Sequence, residues 1–336
     1  MINFRPLNEL VRRGFRRPSG IVLLYHRVHD PKLDPQLLSV TPQIFRKQLE
    51  ALARVYEPAT LDALLNEGSN GRARFAVTFD DGYLDNFTVA APIAHEVGVP
   101  LSIFVATGAA RNPALFFWDY LKDLLLCSEP LTQTDLLLIG AQLQGRGEIL
   151  LSSFVATQVS PHWNVLYRGK EGLREKLYRA VCARLETLPV VKRLELISSL
   201  EEPIGWRPES GSTLVNLANL GELSAGLEIG AHSVAHSNLA RESAEFQRQE
   251  IFESKLQLEH SIGRRVRYFA YPFGGPSHVS SETLSLTEQA GYRAAFMNVP
   301  GAISSGQNRF KLPRLLVRNE DPNALLARIQ RWTWGL

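Results

Sequence analysis

The sequence predicts an α/β fold built on parallel strands. Short apolar runs of strand character alternate with longer stretches of helical periodicity. Hairpin signals between consecutive runs are few, which favours crossover connections over meanders. Residues able to do chemistry, His26, Asp80, Asp81 and His232, stand just past apolar runs. Parallel strands bring such ends to one face. The pattern alone suits an α/β barrel and an open doubly wound sheet equally. The 336 residues, 45% hydrophobic, suffice for one large domain with an insertion or for two small ones. A net charge of +3 gives no reason to expect a nucleic-acid partner.

The elements follow in order. Residues 1–20 lack an apolar core of signal-peptide length and are interrupted by Arg12, Arg13, Arg16 and Arg17. Those arginines suit a solvated helix face or contact with anionic headgroups. A strand over 21–25 ends at His26, and a helix covers 42–55. A strand over 75–79 ends at Asp80–Asp81, and a helix over 86–97 is closed by Gly98–Val99–Pro100. After a strand at 101–106, residues 112–215 break the alternation. This stretch is Leu-, Glu-, Arg- and Gln-rich at helical spacing and reads as a helical insertion, with loop or a short hairpin over 145–170. Strands then follow at 227–231, 266–271 and 293–297, and helices at 242–262, 281–290 and 322–332. Gly263 closes the first of these helices. Cys127 and Cys182 sit in leucine-rich surroundings without a zinc or redox motif, so buried free thiols are expected. No run approaches the ~18 apolar residues of a membrane span. The expected location is cytoplasmic, at the inner membrane surface if the early arginines touch lipid.

Arg74–Phe75–Ala76–Val77–Thr78–Phe79 runs into Asp80–Asp81–Gly82–Tyr83. Carboxylates beside a buried strand cost several kcal/mol unless they are paired or bind a metal. Adjacent side chains on an extended chain point opposite ways, so the two need different partners. One can grip a cation while the other handles protons; taken alone, Asp-Asp-Gly also suits a cap or a turn. Downstream, Leu227–Glu228–Ile229–Gly230–Ala231 ends in His232, with His236 four residues on. Two imidazoles and one carboxylate make a three-ligand site with an open position. Residues 267–275 form a strand entering an aromatic Pro/Gly turn, Tyr271–Pro272–Phe273–Gly274, whose rings suit a sugar face or core packing.

Together these motifs resemble the NodB-type polysaccharide deacetylases, carbohydrate esterase family 4, over roughly 20–110 and 225–320. Thr78–Phe79–Asp80–Asp81–Gly82 matches the first family motif, His232–Ser233–Val234–Ala235–His236 the second, and Tyr271–Pro272–Phe273–Gly274 is a variant of the third. The resemblance implies a distorted, incomplete (β/α) barrel of about seven strands. It implies Asp80 as general base and Asp81, His232 and His236 as ligands of a divalent ion, most simply Zn2+. The arginine common in the third motif is missing at Phe269–Ala270–Tyr271, and Arg267 and Arg314 are the candidates to replace it. The C-terminal catalytic histidine common in the family is missing too, since no histidine follows His278. Tyr25–His26 is similar to the Tyr-His segment of rearranged members acting on bacterial poly-N-acetylglucosamine, which implies His26 as general acid. His29, His95, His162, His260 and His278 are expected to be surface or structural.

The implied activity is removal of N-acetyl groups from amino sugars of a polysaccharide or glycan precursor. Tyr83 (through a nearby backbone N–H), Tyr271, Phe273, Trp118 and Arg314 are the expected substrate contacts. Alternatives are removal of formyl, action on a lipid-linked sugar or small cyclic amide, and a saccharide-binding module without catalysis. One deacetylase domain over 1–336 is expected, with the insertion at 112–215 covering one rim of the cleft.

Overall fold

A computed structural model describes residues 20–66, 72–127, 132, 134, 159–160, 162–169, 171–201 and 213–334. Arg12, Arg13, Arg16 and Arg17 lie outside the described residues, as do 145–158 of the expected loop. Among the described residues the strands are β1 (Gly20–Tyr25), β2 (Arg27–Val28), β3 (Ser39–Val40), β4 (Glu57–Pro58), β5 (Arg74–Phe79), β6 (Leu101–Val105), β7 (Glu228–Ala231), β8 (Tyr268–Ala270), β9 (Ala294–Phe296) and β10 (Leu315–Leu316). The helices are α1 (Pro42–Val55), α2 (Leu61–Asn66), α3 (Ala91–Val97), α4 (Phe117–Leu121), α5 (Leu173–Glu186), α6 (Val190–Glu201), α7 (Leu217–Leu223), α8 (Ala244–Ile262), α9 (Ser281–Gln289) and α10 (Pro322–Trp334).

The main sheet is parallel throughout, in the order β10-β1-β5-β6-β7-β8-β9, with β4 beside the start of β5. It curls into an incomplete barrel. Leu312 exchanges backbone hydrogen bonds with Ala295 and Met297 beyond one edge, and Leu315 and Leu316 pair with Leu23 and Leu24 at the other. The short segment 312–316 thus bridges the two edges in place of a full strand.

Strands buried on both faces carry two apolar sets in alternation. Ile21, Leu23, Tyr25, Phe75, Val77 and Phe79 pack outward among helix residues such as Phe45, Leu49 and Leu52 of α1. Val22, Ala76, Phe104, Tyr268, Ala270 and Phe296 form a separate inner cluster. Helix starts use the expected chemistry: Thr41, Ser243 and Ser280 accept backbone N–H bonds from the first turns of α1, α8 and α9. No helix among the described residues is long and apolar enough to cross a membrane.

Three local expectations are corrected. The helix expected over 86–97 is a π-turn (Asn86–Ala90) followed by α3, because Pro92 has no N–H to continue the ladder. The helix expected from 242 starts at Ala244, behind its Ser243 cap, with a separate 3₁₀ turn at Leu239–Arg241. Cys127 is exposed, and only Cys182 is a buried free thiol.

Between β6 and β7, α4, α5 and α6 build a second apolar cluster from Phe116, Trp118, Leu121, Leu125, Trp163, Leu177, Tyr178, Leu185 and Leu200. It meets the barrel through Tyr83 and Leu214, which form an isolated bridge.

Candidate functional site

Strand register brings the chemistry together. Tyr25 stands opposite Phe79, so His26 and Asp80 emerge at the same height from neighbouring strands, and the Asp80 N–H donates to the Tyr25 carbonyl at 3.0 Å. Val105 stands opposite Ala231, and the next N–H, that of His232, donates to the Val105 carbonyl at 3.0 Å. The ends of β1, β5 and β7 open into a cavity of about 420 Å3. His26, Asp80, Asp81, His232 and His236 line its base; Phe117, Trp118, Phe273, His278, Gln36 and residues of α5 line its walls.

The turn after β5 is sharp. Asp81 and Gly82 have φ of +76° and +80°, which costs a non-glycine residue about 1–3 kcal/mol. A Cβ on Gly82 would stand 3.0 Å from Val105 Cγ1, so glycine suits the position on both counts. The left-handed turn sends the two carboxylates to different partners. Asp80 receives Arg314 in a two-pronged pair, each carboxylate oxygen 2.6 Å from a guanidinium nitrogen. Burial drives Asp80 upward, but Arg314 and His232 outweigh it and hold the carboxyl below its usual range. Asp81 has no such cation: burial pushes it up to about 6, against partial relief from His26 and His232.

Asp81 Oδ1 lies 3.5 Å from His232 Nε2 and 3.3 Å from His236 Nε2. His232 Nδ1 sits 2.8 Å from the Ala270 carbonyl of β8, which fixes the tautomer with the proton on Nδ1 and leaves the Nε2 lone pair facing Asp81. Burial lowers the pKa of His232, and burial with Arg193 brings His236 down to about 3, so both rings are neutral donors. One ligand atom from each of Asp81, His232 and His236 lies within 4.8 Å of the others. Asp81 Oδ1 is buried without a hydrogen-bond partner. An unsatisfied buried carboxylate oxygen facing two neutral imidazoles fits a divalent cation and is costly without one.

The other expected residues are distributed unevenly. Phe273 (φ +60°) and Trp118 line the cavity, with their rings 4.7 and 4.8 Å from that of His236. Gly274 follows Phe273 where a Cβ would meet the Asn298 nitrogen at 2.5 Å. Tyr83, Tyr271 and Arg314 were expected as substrate contacts but are not on the cavity wall. The Tyr83 hydroxyl donates to Asp119 at 2.7 Å and accepts from Trp118 at 3.0 Å, so the ring backs the wall from behind. Tyr271 turns into the core and donates to the Phe310 carbonyl. Arg314 is wholly buried beneath Asp80. Arg267 pairs with Asp62 and Glu228 at the opposite, N-terminal ends of the strands, leaving Arg314 as the arginine of the site. Burial lowers the pKa of His26, with Asp81 and Asp80 pulling upward in part.

Sequence reasoning missed two groups. His278, expected at the surface, lines the cavity and reaches Glu186 of α5 at 3.2 Å. Arg193 and Glu250 grip the loop that carries His236. Neither lies in a motif or at a strand end, so no local pattern marked them.

Comparison with known proteins agrees with this geometry. The polysaccharide deacetylase family model matches residues 220–295, which contain His232, His236 and the third motif. In motif and in fold, the resemblance to the polysaccharide deacetylases holds. YxkH of Bacillus subtilis (strain 168), which carries a provisional polysaccharide deacetylase name, is 28% identical over 92 residues. That match spans 27% of this chain and 32% of YxkH. The Streptococcus pyogenes deacetylase PplD, solved in complex with acetate, superposes with a TM-score of 0.56 at 17% identity, covering 92% of this chain and 97% of its own. IcaB from Ammonifex degensii superposes with a TM-score of 0.55 at 16% identity, covering 94% and 98%. At such identities the structural likeness speaks for the polysaccharide deacetylase fold.

Proposed function

We propose that this chain is a metal-dependent hydrolase that removes N-acetyl groups from amino sugars of a polysaccharide or glycan precursor. The observation that carries the reading is the convergence of Asp81, His232 and His236 beside a separately paired Asp80 at the cavity base. Asp81, His232 and His236 would hold a divalent ion, most simply Zn2+. Such an ion, when bound, polarises a carbonyl and lowers the pKa of water from ~15.7 toward ~7.

The protein's own groups divide the remaining work. Asp80, held ionised by Arg314, takes a proton from water as general base. Its pairing through two fork-like hydrogen bonds fixes the carboxylate plane and leaves lone pairs toward the cavity. His26, also at the cavity base, gives a proton to the departing amine from its imidazolium form, which the neighbouring Asp81 and Asp80 favour against burial, since an unprotonated amide nitrogen leaves poorly. Trp118, Phe117 and Phe273 supply apolar faces for a sugar ring. Within 112–215, α4 and α5 line one wall of the cavity, and we assign to them the choice of acceptor within a single deacetylase domain. We place the chain in the cytoplasm, with Arg12, Arg13, Arg16 and Arg17 as the candidate lipid contact and a lipid-linked sugar as one candidate acceptor.

Mass spectrometry of N-acetylglucosamine oligomers and lipid-linked N-acetylated sugars after incubation with the zinc-loaded chain tests the reading. Loss of acetyl mass from either supports it and names the acceptor. Unchanged masses in both, with a correctly folded and loaded chain, would overturn it.

A further inference from the structure

The loop from His232 to His236 is an unusual piece of backbone. Ser233 and His236 have φ of +62° and +47°, a region that non-glycine residues enter at a cost. Such a conformation persists only where its surroundings over-determine it. Here two buried charged side chains do so. Arg193 of α6, with no exposed surface, donates from Nη1 to the His236 carbonyl at 3.2 Å. Glu250 of α8, 3% exposed, accepts the Ala235 N–H at 2.9 Å and the Ser237 hydroxyl at 3.0 Å on one oxygen. Arg193 therefore holds the C=O of the second histidine, while Glu250 holds the residues on either side of it.

Arg193 is costly for stability. Its Nε and Nη2 are buried without hydrogen-bond partners. Its guanidinium instead lies over the rings of Phe117 and Phe273, 5.1 and 5.8 Å from their centroids. Phe273 in turn packs its ring against His236. One side chain from the segment between β6 and β7 thus touches the loop of one metal-ligand candidate and two aromatic walls of the cavity. A hydrophobic residue of similar volume would satisfy that environment better, which points away from a purely structural role.

We infer that Arg193 and Glu250 are positioning residues that clamp the His232–His236 loop and so set the affinity of the site for a divalent cation. This rests on the reading of Asp81, His232 and His236 as ligands. Groups that orient ligands from outside the coordination shell typically change metal affinity 10–100-fold when removed. The clamp would also make α6 part of the metal site.

The test is calorimetric titration of the metal-free chain with Zn2+, with thermal unfolding of the same metal-free samples as the control for folding. Arg193→Met and Glu250→Leu should each weaken Zn2+ binding about 10–100-fold. Arg193→Lys and Glu250→Gln, which retain a donor and an acceptor, should recover part of that loss. The Co2+-loaded Arg193→Met variant should show an altered visible absorption band relative to the unaltered chain. Folded variants that bind Zn2+ as tightly as the unaltered chain, with the same Co2+ spectrum, would overturn the clamp alone. If the unaltered chain itself binds no stoichiometric Zn2+, the ligand reading fails and the clamp falls with it.

Discussion

Asp80 and Arg314, far apart in sequence, meet through two parallel contacts of 2.6 Å, and both side chains are buried. Arg314 is itself held: its Nε donates to the Met297 carbonyl at 3.1 Å, and its guanidinium lies over the Phe104 ring. The position is supplied by the segment 312–316 that bridges the sheet edges, so barrel closure and orientation of the base are one structural feature.

Removing the arginine should therefore harm both fold and chemistry. Arg314→Met leaves a buried carboxylate without its cation, a change that costs about 3–5 kcal/mol. Urea unfolding should show that loss, and Arg314→Lys should restore only part of it, because an ammonium cannot match both oxygens. Equal stability of the methionine variant at pH 7 would contradict the pairing.

The same pair has a pH signature. Asp80 has its folded pKa depressed, burial being outweighed by Arg314. Its stabilising contribution is thus fully present above the unfolded value of ~3.9 and is lost as pH falls through the folded value. In Arg314→Met the carboxylate is instead relieved by protonation. Melting temperatures of the two chains should converge as pH is lowered from about 6 toward 3, and a constant gap over that range would count against the assignment.

His26 should act on the leaving group and not on the ion. His26→Ala should lower turnover by about 10²–10⁴-fold while the zinc content of the purified chain stays stoichiometric. If zinc is lost with the imidazole, His26 belongs to the ligand set instead.

Much of this site was legible in the sequence because its chemistry sits at strand ends. Asp80, Asp81 and His232 directly follow apolar runs that became β5 and β7, and parallel pairing forces such ends together. Gly82 and Gly274 marked turns in the sequence, and both adopt positive φ in the structure. Arg314 was visible only as one of two candidates. Its pairing depends on β10, a strand of two residues with no periodicity to read. Tyr271 was misplaced because an aromatic beside a motif can face the cavity or turn into the core, and spacing does not distinguish the two. Arg193 and Glu250 stand on helices rich in charged residues, where another charge reads as solvated; both are buried where α6 and α8 meet the His232–His236 loop. His278 follows a Pro/Gly turn, where its Nδ1 accepts the Gly275 N–H at 3.0 Å, and its contact with Glu186 comes from a helix distant in sequence.

The most direct test of the account is acetate release from N-acetylglucosamine oligomers, measured with the zinc-loaded chain, the same chain after chelation, and Asp81→Asn. The account predicts acetate in step with free amine from the loaded chain, loss of that release on chelation with recovery when Zn2+ is returned, and little release from Asp81→Asn at any zinc concentration. Acetate release that is unaffected by chelation and by Asp81→Asn would contradict it.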